Sequence, residues 1–116
     1  MKIKGFGGVF WRTGDVAALS KWYKDVLGIE MESWNGTVIK PQEGNETIFS
    51  FFSEDDGYFP AGQQVMVNFQ VESIEACMMH LEKVGVPLVK DLEKSEYGSF
   101  IWIDDPEGRR IELWEK

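Results

Sequence analysis

One carboxylate of this sequence stands in unusual company. Glu112 lies in the run Arg110-Ile111-Glu112-Leu113-Trp114, whose alternation puts it on one side with Arg110 and Trp114 and leaves Ile111 and Leu113 on the other. The turn Asp105-Pro106-Glu107-Gly108 precedes it. Pro106 pre-sets φ, Asp105 can hydrogen-bond onward, and Gly108 closes the turn. Before the turn, Ile101 and Ile103 oppose Phe100 and Trp102, so the stretch 101–115 reads as a β-hairpin. Its aliphatic face calls for a helix. Its other face carries Phe100, Trp102, Arg110, Glu112 and Trp114, which suits a cleft better than an ordinary core. A carboxylate among aromatic rings has two chemistries open to it. Burial can raise its pKa enough for general-base work. Alternatively it orients a flat or cationic molecule that the rings hold by stacking and cation–π contact.

Period-2 alternation adds partners from two other strands. Residues 3–12 (IKGFGGVFWR) read as a strand with Gly8, Phe10 and Arg12 on one face, and residues 65–71 as a strand with Met66, Asn68 and Gln70 on one face. The candidate ligand-binding residues are therefore Phe10, Arg12, Met66, Asn68, Gln70, Trp102, Arg110 and Trp114, with Glu112 as the candidate catalytic group. The competing reading is a cleft filled by its own aromatics, but five tryptophans in 116 residues favour a pocket. Arg12 and Glu112 either pair across the cleft or leave Arg12 free for a carboxylate ligand. Arg109 and Arg110 are expected at the rim. Glu54-Asp55-Asp56 reads as a solvated loop, and Tyr58-Phe59-Pro60 as a dimer contact. His80, the single histidine, is expected at a helix boundary.

The elements that would position these groups repeat. Asp15 caps a helix with Val16, Leu19, Tyr23, Val26 and Leu27 on one face, and Gly28 stops it. Extended pieces follow at 29–34, 37–40 and 47–53. Asn35-Gly36 is a type I′ hairpin signal, and Glu43-Gly44-Asn45 a looser turn. The segment 54–64 has no periodicity. The pattern then restarts with a strand at 65–71 and a helix capped by Ser73, apolar at Ile74, Cys77, Met78, Leu81 and Val84 and stopped by Gly85; strands follow at 87–92, 99–104 and 110–115. The two stop glycines stand 57 positions apart, and at that offset Asp15 falls one residue short of the second cap. The chain thus reads as β-α-β-β-β twice, an α+β fold in which two modules form a curved mixed sheet around a cleft. Module one is 1–53, the connector 54–64 and module two 65–116, all within one domain.

Composition narrows the function classes. A net charge of −8 opposes nucleic acid and anionic membrane and favours cationic ligands. No apolar run reaches the length of a membrane span, and neither an apolar leader nor a cleavage site follows Lys2. The single cysteine, Cys77, sits on an apolar helix face and has no internal disulfide partner, so a cytoplasmic location is expected.

The helix ALSKWYKDVLGI, the repeated module and the ending DPEGRRIELWE together resemble the vicinal oxygen chelate superfamily, the group of glyoxalase I, bleomycin and fosfomycin resistance proteins and extradiol dioxygenases. The resemblance covers essentially the whole chain and is specific to the fold rather than to one activity. It implies a divalent metal in the cleft, held by the first and fourth strands of each module. Carried over one position at a time, the C-terminal glutamate falls on Glu112. The first-strand ligand falls on Gly8, its second-module equivalent near Met66, and the remaining ligand among Ile48, Phe49, Ser50 and Phe51. One ligand position keeps a donor. Dioxygenase and hydrolase sites need two or three histidine, cysteine or carboxylate ligands. The expectation is therefore a member without metal or other cofactor that binds a small aromatic or cationic molecule, as the bleomycin-resistance branch does by sequestration, and that forms a homodimer. The alternative is a glyoxalase-like lyase or isomerase using Glu112 as metal ligand or general base. A third reading is a dimeric scaffold with a filled cleft.

Overall fold

In the computed structural model, which describes residues 1–116, two helices lie on one face of a four-stranded sheet. Both helices begin and end as their sequences demand. Helix α1 (Val16–Leu27) is capped by Asp15, whose carboxylate accepts the Ala18 N–H at 3.0 Å. Helix α2 (Ile74–Val84) is capped by Ser73, whose hydroxyl oxygen accepts the Ala76 N–H at 3.1 Å. Gly28 (φ 70°) and Gly85 (φ 77°) end them in the left-handed region, where a Cβ would be strained. Helix α1 has 12 residues and α2 has 11, which accounts for the one-residue slip between the two caps.

The sheet comes from β1 (Val67–Gln70), β2 (Glu93–Ser95), β3 (Gly98–Asp104) and β4 (Arg110–Glu115), in the order β1-β4-β3-β2. Strand β1 runs parallel to β4, with Asn68 opposite Glu112 and Gln70 opposite Trp114. Strand β3 is antiparallel to β4, with Trp102 opposite Glu112 and Phe100 opposite Trp114. The aliphatic face behaves as the alternation requires. Ile101, Ile103, Ile111 and Leu113 are buried against Leu19, Tyr23, Val26, Ile74 and Leu81 of the helices. The turn joining β3 to β4 also follows its residue types. The Gly108 N–H donates to the Asp105 carbonyl at 3.0 Å, and Gly108 has φ 85°. The fold is α+β, two helices on one face of a mixed four-stranded sheet.

Other local expectations are corrected. The extended pieces 3–12, 29–34, 37–40 and 47–53 run without forming paired strands, so every regular strand lies in the second half. Their apolar residues have no sheet partner across which to alternate, and Ile3, Phe10, Val38, Phe49 and Phe51 stay exposed. The radius of gyration, 14.7 Å, exceeds the roughly 13.4 Å of a compact chain this long. Asn35-Gly36 does not make a type I′ turn, which needs positive φ at both residues. Only Asn35 has it (66°), and the loop closes one step earlier, from Asn35 N–H to the Glu32 carbonyl at 2.9 Å. The strand expected at 87–92 forms instead at Glu93–Ser95, paired to β3. Pro87 has no N–H to give a ladder, and the one bond from this stretch to β3 runs from Val89 N–H to the Trp102 carbonyl at 2.8 Å. No helix is long and apolar enough to cross a membrane.

Candidate functional site

On the sheet face away from the helices, the register places Glu112 between Asn68 and Trp102. The side chains follow the register. The Trp102 indole N–H donates to Glu112 Oε2 at 2.8 Å, and the Asn68 amide donates to Oε1. Tyr58, arriving from the aperiodic segment 54–64, donates its hydroxyl to Oε2 as well. Glu112 is 6 % exposed, so this carboxylate is held by the chain's own donors rather than by water. The Tyr58 hydroxyl is pushed well above the usual tyrosine range. Burial is the main cause, and the hydrogen bond to Glu112 and the carboxylate's charge reinforce it.

Beside this hub runs an aromatic ladder. Phe100 lies 6.3 Å from Trp102 and 6.3 Å from Trp114, with interplanar angles of 16° and 8°. Antiparallel pairing sets these three rings side by side on one face. Tyr58 meets Trp102 edge-on at 5.9 Å and is itself stacked on Phe52 at 5.2 Å. Lys90 completes the arrangement, its ammonium 4.1 Å from the centre of the Trp102 ring and 3.1 Å from Glu93 Oε1.

Of the residues singled out by alternation, Asn68, Trp102 and Glu112 meet directly, and Gln70 and Trp114 stand one row along. Gln70 is engaged by the turn at 43–46, accepting from Asn45 Nδ2 and the Glu46 N–H at 2.9 Å each. The Trp114 indole donates to the Tyr97 carbonyl at 2.8 Å. Met66 is half-buried just before β1. Phe10 and Arg12 fall elsewhere, on the wall of a cavity of about 490 Å³ that Arg110, Gln63 and Val65 share. The anticipated Arg12–Glu112 pair does not form, because Glu112 is already bonded to Tyr58, Asn68 and Trp102. Arg110 pairs with Asp104 at 2.6 Å.

A second polar cluster lies behind the turn. Asp105, 4 % exposed, accepts from the Tyr23 hydroxyl at 2.7 Å, Arg109 Nη1 at 2.9 Å and the Glu107 and Arg109 N–H groups. Burial alone would raise its pKa. The hydrogen bonds from Tyr23 and Arg109 outweigh that and hold the carboxyl below the usual aspartate range. Arg109 also donates to the Arg12 carbonyl at 2.7 Å, so the cluster ties the N-terminal segment to the hairpin. His80 lies outside the site and bonds the Val26 carbonyl at 2.9 Å. Burial pushes the Cys77 thiol pKa up, which suits packing rather than reactivity.

Sequence reasoning missed Tyr58, Lys90 and Glu93. Tyr58 had one signal, an aromatic pair inside an acidic, aperiodic segment, and that signal pointed to a dimer contact. Tyr58 is half-buried against Glu112. Lys90 and Glu93 had none, because a lone lysine or glutamate in a polar stretch looks like any solvated residue.

Comparison with known proteins agrees with this architecture. The model of the glyoxalase-like domain family matches residues 8–114. An integron cassette protein from the mobile metagenome of V. cholerae is 21 % identical, with a TM-score of 0.65 over 99 % of this chain and 97 % of that one. A glyoxalase/bleomycin resistance protein/dioxygenase superfamily member from Sphaerobacter thermophilus is 18 % identical, with a TM-score of 0.56 over 90 % of each chain. A lactoylglutathione lyase from Agrobacterium tumefaciens is 16 % identical, with a TM-score of 0.53 over 87 % of this chain and 85 % of that one. No curated protein matches the chain. At these identities the solved structures speak for the fold alone, while the family match spans nearly the whole sequence: the chain belongs to the glyoxalase-like domain family, within the vicinal oxygen chelate superfamily.

Proposed function

We propose that the chain binds a small, flat, cationic molecule on the aromatic face of its sheet, and that it does so without the metal of its superfamily. The observation that carries this reading is the state of Glu112. Among the positions that carry the superfamily's metal, it alone has a strong donor, and its oxygens accept from Tyr58, Asn68 and Trp102. In this arrangement those neighbours turn O–H and N–H protons, not lone pairs, toward the carboxylate. No three His, Cys, Asp or Glu side chains converge anywhere in the chain. The residues present therefore do not fit a divalent metal. Trp102 and Trp114 are 1 % and 7 % exposed, so a flat cation reaches the Phe100-Trp102-Trp114 ladder by displacing the side chains that cover it, and the net charge of −8 favours its approach. In the same reading the protein works in the cytoplasm as a homodimer, a second copy covering the apolar surface of the first half. Charge supports self-complementarity: residues 1–12 carry three cations and no acid, whereas residues 41–56 carry five acids and no cation.

A lyase or isomerase with Glu112 as general base draws on one observation. Oε2 accepts from two donors and Oε1 from one, so Oε1 keeps a lone pair for a substrate proton. Metal analysis of the purified protein, with thermal melts in Zn²⁺, Ni²⁺, Mn²⁺, Fe²⁺ or benzamidinium, separates the readings. The binding reading expects no stoichiometric metal and a higher Tm with the aryl cation. Metal at near one equivalent per chain, with a clear rise in Tm, would overturn it and put the enzyme first.

A further inference from the structure

Two side chains of the protein already behave like the ligand it is proposed to bind. The Lys90 ammonium sits 4.1 Å from the centre of the Trp102 ring, 5.7 Å from that of Tyr58, and against the Glu93 carboxylate. An indole face with a carboxylate beside it makes a cation subsite, here filled from within. A few ångströms away, the Tyr58 hydroxyl donates to Glu112 Oε2, a phenol subsite filled in the same manner. Trp102 is only 1 % exposed with these groups in place. Lys90 is the looser of the two, whereas Tyr58 is held by its bond to Glu112 and its stacking on Phe52. Lys90 has a long flexible stem, its side chain is 47 % exposed, and its ion pair with Glu93 is a surface pair worth little. Tyr58 hangs from a segment without helix or strand. That segment is anchored five residues later by Gln63, whose amide both accepts the Arg110 N–H at 2.7 Å and donates to the Arg110 carbonyl at 2.9 Å.

We propose that Lys90 and Tyr58 are built-in stand-ins for the ligand, and that the molecule which displaces them carries an ammonium and a phenol-like hydroxyl on one flat skeleton. This rests on the binding reading above and names the chemical class for it. Glu93 with the Trp102 face takes the ammonium, and Glu112 takes the hydroxyl. Lys90 thereby sets specificity, since a ligand without a cation gains nothing by moving it. An anionic isostere meets Glu93 and Glu112 and is rejected.

The test uses three probes of nearly one shape: tyramine (ammonium and phenol), p-cresol (phenol alone) and 4-hydroxyphenylacetate (carboxylate and phenol). Each is titrated by calorimetry and tryptophan fluorescence into the parent protein, Lys90→Met and Lys90→Arg. Lys90→Met keeps an apolar stem but no cation. It should bind tyramine about tenfold more tightly than the parent, with little change for p-cresol. Lys90→Arg should remain as weak as the parent, and 4-hydroxyphenylacetate should bind least throughout. Equal or weaker tyramine binding by Lys90→Met, with the parent still binding aryl cations, would overturn the stand-in role and leave the binding reading intact. No binding of tyramine or benzamidinium by any of the three proteins would overturn both.

Discussion

The two halves of the chain carry the same pattern and meet different fates. Both have a helix with a side-chain oxygen at the N-cap, an apolar stripe and a left-handed glycine at the end. In the second half the strands around that helix pair into a sheet that buries Ile101, Trp102 and Ile103 almost completely. In the first half the corresponding stretches stay unpaired, and Phe10 and Phe51 remain 94 % and 87 % exposed. Helix α1 survives because it borrows the other half's sheet, with Leu19, Tyr23 and Val26 packing into the same core as α2. The contrast shows how differently the two kinds of element depend on context. A helix satisfies its own backbone and needs only one apolar face covered. A strand needs a neighbour for both its hydrogen bonds and its side chains. Outside α1, polar contacts tie the connector and the 43–46 turn to the second half, among them Tyr58 to Glu112, Gln63 to Arg110 and the Glu46 N–H to Gln70.

The sharpest way to break this comparison is to truncate matching apolar residues in the two halves. Leu113→Ala, in the closed core, should cost about 3–5 kcal/mol in urea denaturation. Phe51→Ala should cost under about 0.5 kcal/mol in dilute protein, since an exposed ring has little to lose. If a second copy covers the first half, the Phe51→Ala cost grows with protein concentration, as expected of a dimer contact. Equal costs at every concentration would mean that the first half is packed in solution as the second is.

A smaller effect probes the seam at Asp105, which joins Tyr23 of α1 to the hairpin. Its carboxyl is held below the usual range by Tyr23 and Arg109, so its ionised form stabilises the fold above the unfolded pKa of about 3.9. That contribution is lost as pH falls through the lower, folded value, and stability should drop below about pH 4. Asp105→Asn should lower stability at pH 7 by about 1–3 kcal/mol and flatten the acid limb of a Tm-against-pH curve. Tyr23 and Tyr58 work in the opposite sense. Their hydroxyls are raised, so their contribution is full below about pH 10 and fades above it.

A modest effect tests where the halves are alike. Gly28→Ala and Gly85→Ala each force a Cβ into the left-handed region and should each cost about 1 kcal/mol, read from midpoint shifts in thermal melts. A much smaller cost at Gly28 would show that α1 depends on its local stop less than α2 does.

Much of the fold is legible in residue type and spacing alone. Both caps, both stop glycines, the Asp105–Gly108 turn, the strands read at 65–71, 99–104 and 110–115 (observed at 67–70, 98–104 and 110–115) and the division of their side chains between two faces all follow from them. These are short-range properties, set by sterics and by hydrogen bonds within a few residues. The meeting of Asn68 and Trp102 at Glu112 is half legible. Alternation puts all three on one face, but only the register sets them opposite one another.

What the sequence could not determine lies where partners come from far along the chain. Tyr58 reaches Glu112 across 54 residues, and nothing local marks it as a donor. Lys90 covers Trp102 because the stretch after α2 runs beside β3, a placement that depends on the whole sheet. Charge points Arg12 toward Glu112, yet the carboxylate goes to nearer donors on the sheet and to Tyr58. The sequence by itself settled the elements, their caps and the two faces of the hairpin, because those depend on each residue and its close neighbours. The tertiary structure decided which half closed its sheet and what fills the aromatic face, because strand pairing and side-chain placement are resolved only when distant segments compete for the same backbone groups and the same ring surface.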